Sequence, residues 1–286
     1  MLMNMNELLK VAKEHRFAVP AFNISSYSMF LGVMNAAEKE NSPVIIEIHP
    51  HELAFTEDAF TAAVRERLAA SKLPCVLHLD HGGSIEDVMR AIRDGFTSVM
   101  IDGSSLPFEE NIALCRKVCE LAHPLNISVE GELGTIGVTT SKEAYDAQTI
   151  IYTNPEDAKI FVEKTGVDTL AVAIGTSHGL YPKGTVPKLR LDILEEIEKA
   201  VDIPLVLHGG SNNPDEEIAG AVVRGINKIN ISSDIKVAFY DALREKLKDT
   251  GLREPNKIEP CGIKAVKEVA SHKIRLFKSN GKADLY

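Results

Sequence analysis

The chain has 286 residues, a formal net charge of −9, 44% apolar residues and 26% charged residues. These proportions belong to a folded globular protein and exclude wholesale disorder; the length suits one α/β barrel of about 250 residues as well as two smaller domains. An acidic chain without a basic run is a poor match for nucleic acid or an anionic membrane surface, and no apolar run approaches the ~20 residues that span a bilayer.

In chain order, the pattern first predicts a helix over Asn4–Glu14. Short β-rich runs then recur at Ala18–Asn23, Pro43–Ile48, Pro74–Asp80, Thr97–Asp102, Ile127–Glu132, Asp168–Ile174, Ile203–His208 and Lys228–Ile231. Between them, helical spacing marks Met29–Lys39, Ile85–Asp94, Glu109–Leu121, Asp157–Lys164 and Leu191–Ala200, and a last helix is expected at Ile263–Leu276. Strands so rich in Val, Ile and Leu read as buried on both faces. Eight of them alternating with helices close a parallel sheet, so the expected class is α/β: a (β/α)8 TIM barrel over residues 1–286 as a single domain, with an extra helix at each end. An open doubly wound sheet would want a glycine-rich turn after the first strand, and Ala18–Ser26 has none. The connection Leu133–Asn154 is long and carries Gly134 and Gly137 at its base, which reads as a mobile flap.

Cys75, Cys115, Cys119 and Cys261 form no CxxC pair, and the first ten residues hold no apolar stretch of signal-peptide type. The expectation is a soluble cytoplasmic protein without disulfides.

Active sites of such barrels lie at the C-terminal ends of the strands. Three of the nine histidines, His81, His178 and His208, stand there, each followed by glycine. A lone histidine reads as a hydrogen-bonded structural residue; three at one rim read as a metal site with an open position, for which zinc is the natural ion. His78 shares a strand face with Asp80 and reads as barrel interior, whereas His15, His49, His51, His123 and His272 read as surface or loop residues. Asp80 can act as general acid or base, since Ser84 is available to cap the next helix. Glu130 and Glu132 point to one side of the fifth strand. Either could meet a metal or hold a catalytic group, and an ion pair inside the barrel is the alternative for Glu130. The turns Gly209-Gly210-Ser211 and Asn230-Ile231-Ser232-Ser233 suit a phosphate: glycine lets backbone N–H groups approach an anion, and the following helix adds its dipole.

Together these residues resemble the class II, metal-dependent ketose-phosphate aldolases of the fructose/tagatose-bisphosphate type. The resemblance runs almost end to end and is strongest at Val76–Ser84, Met100–Ile112, Ser128–Gly137, Gly166–Tyr181, Pro204–Ser211 and Lys228–Asp234. It implies one Zn2+ per subunit on His81, His178 and His208, with Glu132 able to contact the metal when substrate is absent, and Asp80 as proton donor and acceptor. Gly179, Gly209, Gly210, Ser211, Asn230, Ile231, Ser232 and Ser233 match the site for the dihydroxyacetone-phosphate half of the substrate, and Asn23 matches a substrate-facing asparagine. Backbone oxygens near Gly179, Gly209 and Ser211 match a site for a monovalent cation, Na+ or K+. The implied reaction is reversible cleavage of a ketose 1-phosphate or 1,6-bisphosphate into dihydroxyacetone phosphate and an aldehyde, by a homodimer or homotetramer acting on a small sugar phosphate, without nucleic acid or membrane.

Three departures stand out. Val138-Thr139-Thr140-Ser141 replaces a run with an acidic flap residue, leaving Glu143 as a substitute; Asn212 replaces a glycine; and Ile258–Gly262 lacks an arginine for a distal phosphate. The far end of the substrate is therefore expected to lack a phosphate, or to be bound by His49, His51 or Arg253. A metal-dependent hydrolase would want an HxH pair on the first strand, which is absent. A non-catalytic or partner-dependent subunit of the aldolase type is the remaining alternative.

Overall fold

The computed structural model describes residues 1–138, 150–182 and 184–286. Eight strands form one closed parallel barrel: β1 Val19–Asn23, β2 Val44–Ile48, β3 Cys75–Gly82, β4 Ser98–Ile101, β5 Ser128–Leu133, β6 Thr169–Val172, β7 Leu205–Leu207 and β8 Ile226–Ile231. Each strand pairs with its neighbours in sequence, and β8 returns to β1 through Val19↔Lys228 and Phe22↔Ile231. The helices are α1 Met5–Glu14, α2 Tyr27–Glu40, α3 Pro50–Ala69, α4 Ile85–Arg93, α5 Phe108–Ala122, α6 Pro155–Thr165, α7 Leu191–Ala200, α8 Asp215–Val223, α9 Ser233–Lys246 and α10 Pro255–Leu276. The last begins eight residues before the expected Ile263 and carries Pro260 inside it.

Side-chain alternation sorts the strand residues between two environments. One set, including Phe22, Ile46, Leu77, Val99, Val129, Leu170, Leu207 and Ile229, packs in the large core under the helices. The other faces the barrel axis. At the N-terminal end of the barrel that set is apolar: Val19, Ala21, Ile45 and Val76 pack against Met5, Leu8, Leu9 and Ala12 of α1, which plugs the bottom. One layer up it is ionisable, with Glu47, His78, Glu130 and Lys228 all fully buried. At the top stand Asn23, Asp80, Glu132, His208 and Asn230.

Strand β3 departs from regular pairing where it matters most. Its register with β4 shifts between Leu79 and Gly82, and His81 takes a left-handed backbone with φ of 50°. Consecutive residues of a regular strand face opposite ways; this irregularity lets both Asp80 and His81 reach the same rim. Ser84 caps α4, its hydroxyl accepting from the Asp87 amide at 3.1 Å as expected. The residues Gly137–Val138 pair in parallel with Ser177–His178 above the barrel mouth. The stem of the expected flap closes on itself, the Thr135 amide donating to the Ile151 carbonyl at 2.9 Å. Its tip, with Thr139, Thr140, Ser141 and Glu143, lies outside the described residues.

Candidate active site

His81, His178 and His208 come together at the barrel mouth. Ring centroids are 4.9 Å apart for His81–His178, 4.6 Å for His81–His208 and 6.1 Å for His178–His208. One nitrogen from each lies within 4.8 Å of the other two. His81 Nδ1 is 2.8 Å from Asp102 Oδ2, and His208 Nε2 is 2.8 Å from Glu130 Oε1. A carboxylate accepts, so each ring donates its N–H backwards and turns a lone pair into the site. Those two lone-pair nitrogens, His81 Nε2 and His208 Nδ1, stand 3.0 Å apart. Two lone pairs face each other at that distance only around a shared positive charge, a proton or a metal ion.

The electrostatics agree. Burial alone would keep protons off all three rings. At His208 the Glu130 and Glu132 carboxylates outweigh burial and lift its pKa to about 10, so without a bound ion the ring itself carries the positive charge. Burial and the neighbouring His81 and His208 push His178 down to about 3, leaving its ring a neutral donor of the kind a metal needs. Glu132 Oε2 is buried without a hydrogen-bond donor, 3.2 Å from His208 Nδ1. The residues present therefore fit a divalent ion bound by three imidazoles, with a carboxylate in reserve. A second group, Glu47, His78 and Asp80, is equally close-set, but the Lys228 ammonium already sits 2.8 Å from Glu47.

Lys228 also reaches both Glu130 oxygens, at 3.1 and 2.8 Å. Glu130 thus bridges a buried ammonium and a ligand-type histidine, and joins both readings its position allowed. His78 is barrel interior as expected, its Nδ1 2.8 Å from the Ser98 hydroxyl.

Asp80 is gripped by two amides. Asn23 Nδ2 donates to Oδ2 at 2.8 Å, and Asn230 Nδ2 donates to Oδ1 at 3.0 Å. Burial would raise its pKa, but the surrounding His81, His208 and Lys228 charges win and hold the carboxyl below the ordinary range. It is an ionised base held in one orientation, 3.9 Å from His81 Nε2.

Across the mouth, Gly179, Gly209, Ser211, Ser232 and Ser233 line one wall of a cavity of about 640 Å³. Gly209 has φ of +62°, and a Cβ there would meet the Ser177 carbonyl oxygen at 2.7 Å. The Ser211 hydroxyl accepts from the amides of Ser232 and Asp234 at the start of α9, at 3.2 and 3.3 Å. Asn212 adopts φ of 58°, a backbone that asparagine tolerates better than other side-chain-bearing residues, which is how it stands in for glycine here. Gly210 and Ile231 do not line the cavity. Gly210 packs against Ile229, and the Ile231 side chain is in the core, so only the Ile231 backbone is left for a ligand.

The sequence of the chain matches the family described as fructose-bisphosphate aldolase class-II over residues 3–282. The chain belongs to that family. The D-tagatose-1,6-bisphosphate aldolase subunit GatY of Klebsiella oxytoca is 40% identical over 96% of this chain and 97% of its own. The 6-phospho-5-dehydro-2-deoxy-D-gluconate aldolase of Bacillus licheniformis is 42% identical over 98% and 96%. Among solved structures, the YdjI aldolase of Escherichia coli K12 superimposes with a TM-score of 0.87 at 36% identity, covering 99% of this chain and 100% of that one. The protein is thus a class II aldolase, a carbon–carbon lyase on a TIM barrel.

For this aldolase, of the two readings that the sequence allowed for His49 and His51, surface or loop residues and candidates for the far end of the substrate, their position agrees with the second: both line the cavity, their rings stacked 5.0 Å apart. Arg253 is exposed and does not line it. Asp102 and Lys228 were not singled out at all. Asp102 could have been found as the residue ending the fourth strand, and Lys228 as a charge in a strand otherwise buried on both faces. Among the described residues no helix is long and apolar enough to cross a membrane.

Proposed function

We propose that this aldolase reversibly cleaves a ketose 1-phosphate or 1,6-bisphosphate into dihydroxyacetone phosphate and an aldehyde, with one Zn2+ per chain on His81, His178 and His208 and Glu132 as an alternative ligand. The observation that carries the metal assignment is the 3.0 Å approach of His81 Nε2 and His208 Nδ1, each ring backed by a carboxylate. The class agrees with the relatives, whose names include a bisphosphate and a phosphorylated sugar acid.

Bound zinc would supply Lewis-acid stabilisation, worth several kcal/mol, for the negative charge left on the three-carbon fragment. Asp80 takes the proton of the C4 hydroxyl as the C3–C4 bond breaks and the aldehyde carbonyl forms. Asn23 and Asn230 hold its carboxylate in place for that transfer. The wall of Gly179, Gly209, Ser211, Ser232 and Ser233 grips the C1 phosphate with backbone amides and the α9 dipole, and so fixes the fragment against Asp80.

A monovalent cation at the cradle would have to share the Gly209 and Ser211 carbonyls with Asn213 Nδ2, which donates to them at 2.7 and 3.0 Å. We take residues 1–286 as one domain, and a cytoplasmic homodimer or homotetramer as the working assembly.

The test is cleavage of a ketose phosphate panel by zinc-loaded protein, with Asp80→Ala beside it. The expected result is release of dihydroxyacetone phosphate, lowered ~10²–10⁴-fold in the variant. Equal rates for both proteins would remove Asp80 from the chemistry. Zinc binding without turnover of any ketose phosphate would favour a partner-dependent subunit; the GatY relative is itself named a subunit.

A further inference from the structure

The cavity has a second wall, and its chemistry differs from the phosphate cradle. β2 stands four places from β6 around the closed barrel, so the chain leaving β2 faces the Gly179 loop from the opposite side. That chain is His49-Pro50-His51-Glu52, entering α3. The wall is stiff. His49 caps α3, its Nδ1 accepting the His51 amide at 3.1 Å, and the His49 ring lies 6.1 Å from that of His81. Lys236, one turn into α9, reaches over β1 and is ion-paired with Glu52.

The charge count along the cavity decides what this wall can accept. Glu52, Asp80, Asp102 and Glu132 contribute four carboxylates; among the described residues Lys236 is the one ammonium, and no arginine lines the cavity. A divalent ion on the three histidines would leave that set about one charge negative. A phosphate on the cradle side is held by backbone amides and a helix dipole, which need no side-chain cation. A dianion on the β2 side would find Lys236 already neutralised by Glu52 and would lie beside that carboxylate. The same wall offers imidazole, carboxylate and ammonium groups that both donate and accept, which suits hydroxyl groups.

Resting on the aldolase reading above, we propose that the His49–His51–Glu52–Lys236 wall receives the aldehyde end of the substrate and selects an uncharged, hydroxylated tail, so that the substrate is a ketose 1-phosphate without a second phosphate. His51 and the Glu52–Lys236 pair are then specificity-determining residues for the reaction.

The experiment measures aldol addition to dihydroxyacetone phosphate by the zinc-loaded protein, with glyceraldehyde, glyceraldehyde 3-phosphate and a carboxylated aldehyde offered separately. Exchange of dihydroxyacetone-phosphate protons with deuterated water is followed alongside. The expected kcat/KM for glyceraldehyde exceeds that for either anionic aldehyde by about tenfold or more. Glu52→Gln, which frees the Lys236 charge, should shift the ratio towards glyceraldehyde 3-phosphate by about tenfold. His51→Leu should raise KM for glyceraldehyde more than it lowers kcat. A wild-type preference for glyceraldehyde 3-phosphate or the carboxylated aldehyde, or an unchanged ratio in Glu52→Gln, overturns the proposal. Proton exchange without addition to glyceraldehyde overturns it while leaving the aldolase reading intact. Absence of both exchange and addition removes the parent reading and this one with it.

Discussion

At the scale of single residues, the site is organised by what stands behind each functional group. His208 faces the proposed metal position with Nδ1 because Glu130 holds Nε2, and Glu130 can stay ionised in the barrel interior because Lys228 meets it at 2.8 Å. The three residues come from β5, the segment after β7, and β8, and both Glu130 and Lys228 are fully buried. Breaking such a pair leaves an uncompensated buried charge, which costs more than the pair itself contributes. Lys228→Met should therefore lower stability by about 3–5 kcal/mol in urea denaturation, with zinc affinity falling as Glu130 loses its setting. Adding Glu130→Gln should restore part of the stability but not the affinity, because Gln carries no charge to balance yet polarises His208 less. Recovery of both would mean that Lys228 serves packing alone.

At the scale of elements, the connections after strands carry the chemistry, and backbone conformation limits what they can be. The turn after β7 passes Gly209 so close to Ser177 that a methyl group has no room, and its φ of +62° suits glycine. Gly209→Ala should raise KM for dihydroxyacetone phosphate in the addition direction severalfold, with a smaller loss in kcat, since the proposed cradle would bind the phosphate without reacting. Steady-state kinetics in that substrate would show it. A loss confined to kcat would place Gly209 nearer the reacting carbons. The β3 irregularity is the counterpart on the other side of the mouth: without it Asp80 and His81 would point to opposite faces, and the proposed base and metal could not share one substrate.

At the scale of the whole molecule, the three histidines proposed to hold the metal come from β3, from the segment after β6 and from the segment after β7, so an ion bound there would tie distant parts of the chain together. An ion that binds only the folded form stabilises it by RT ln(1 + [L]/Kd), about 4 kcal/mol at a thousandfold excess over Kd. Zinc should raise the Tm of the wild-type protein, a chelator should lower it again, and His208→Ala should be insensitive to both. A zinc-dependent Tm in that variant would move the metal elsewhere. The same closure explains how one end of the barrel is inert and the other reactive. α1 fills the bottom with Met5, Leu8 and Leu9, a buried layer of ionisable groups follows, and Asp80 and the three histidines border a cavity at the top.

The chain by itself determined the strand–helix alternation, the parallel barrel and the identity of the rim. These follow from local properties: Val- and Ile-rich runs bury on both faces, side chains alternate with period two, and polar residues cluster where runs end. The motif around Asp80-His81 and those at His178 and His208 were legible for the same reason, because each is a short stretch at a strand end. Tertiary structure alone decided the pairings across the barrel. Glu130 meets Lys228 and His208 across 98 and 78 residues of chain, and His81 meets His208 across 127. No local pattern encodes such distances; closure of the sheet does. It also decided that His49 and His51 face the cavity, since whether a loop histidine meets solvent or substrate depends on which strands stand opposite it.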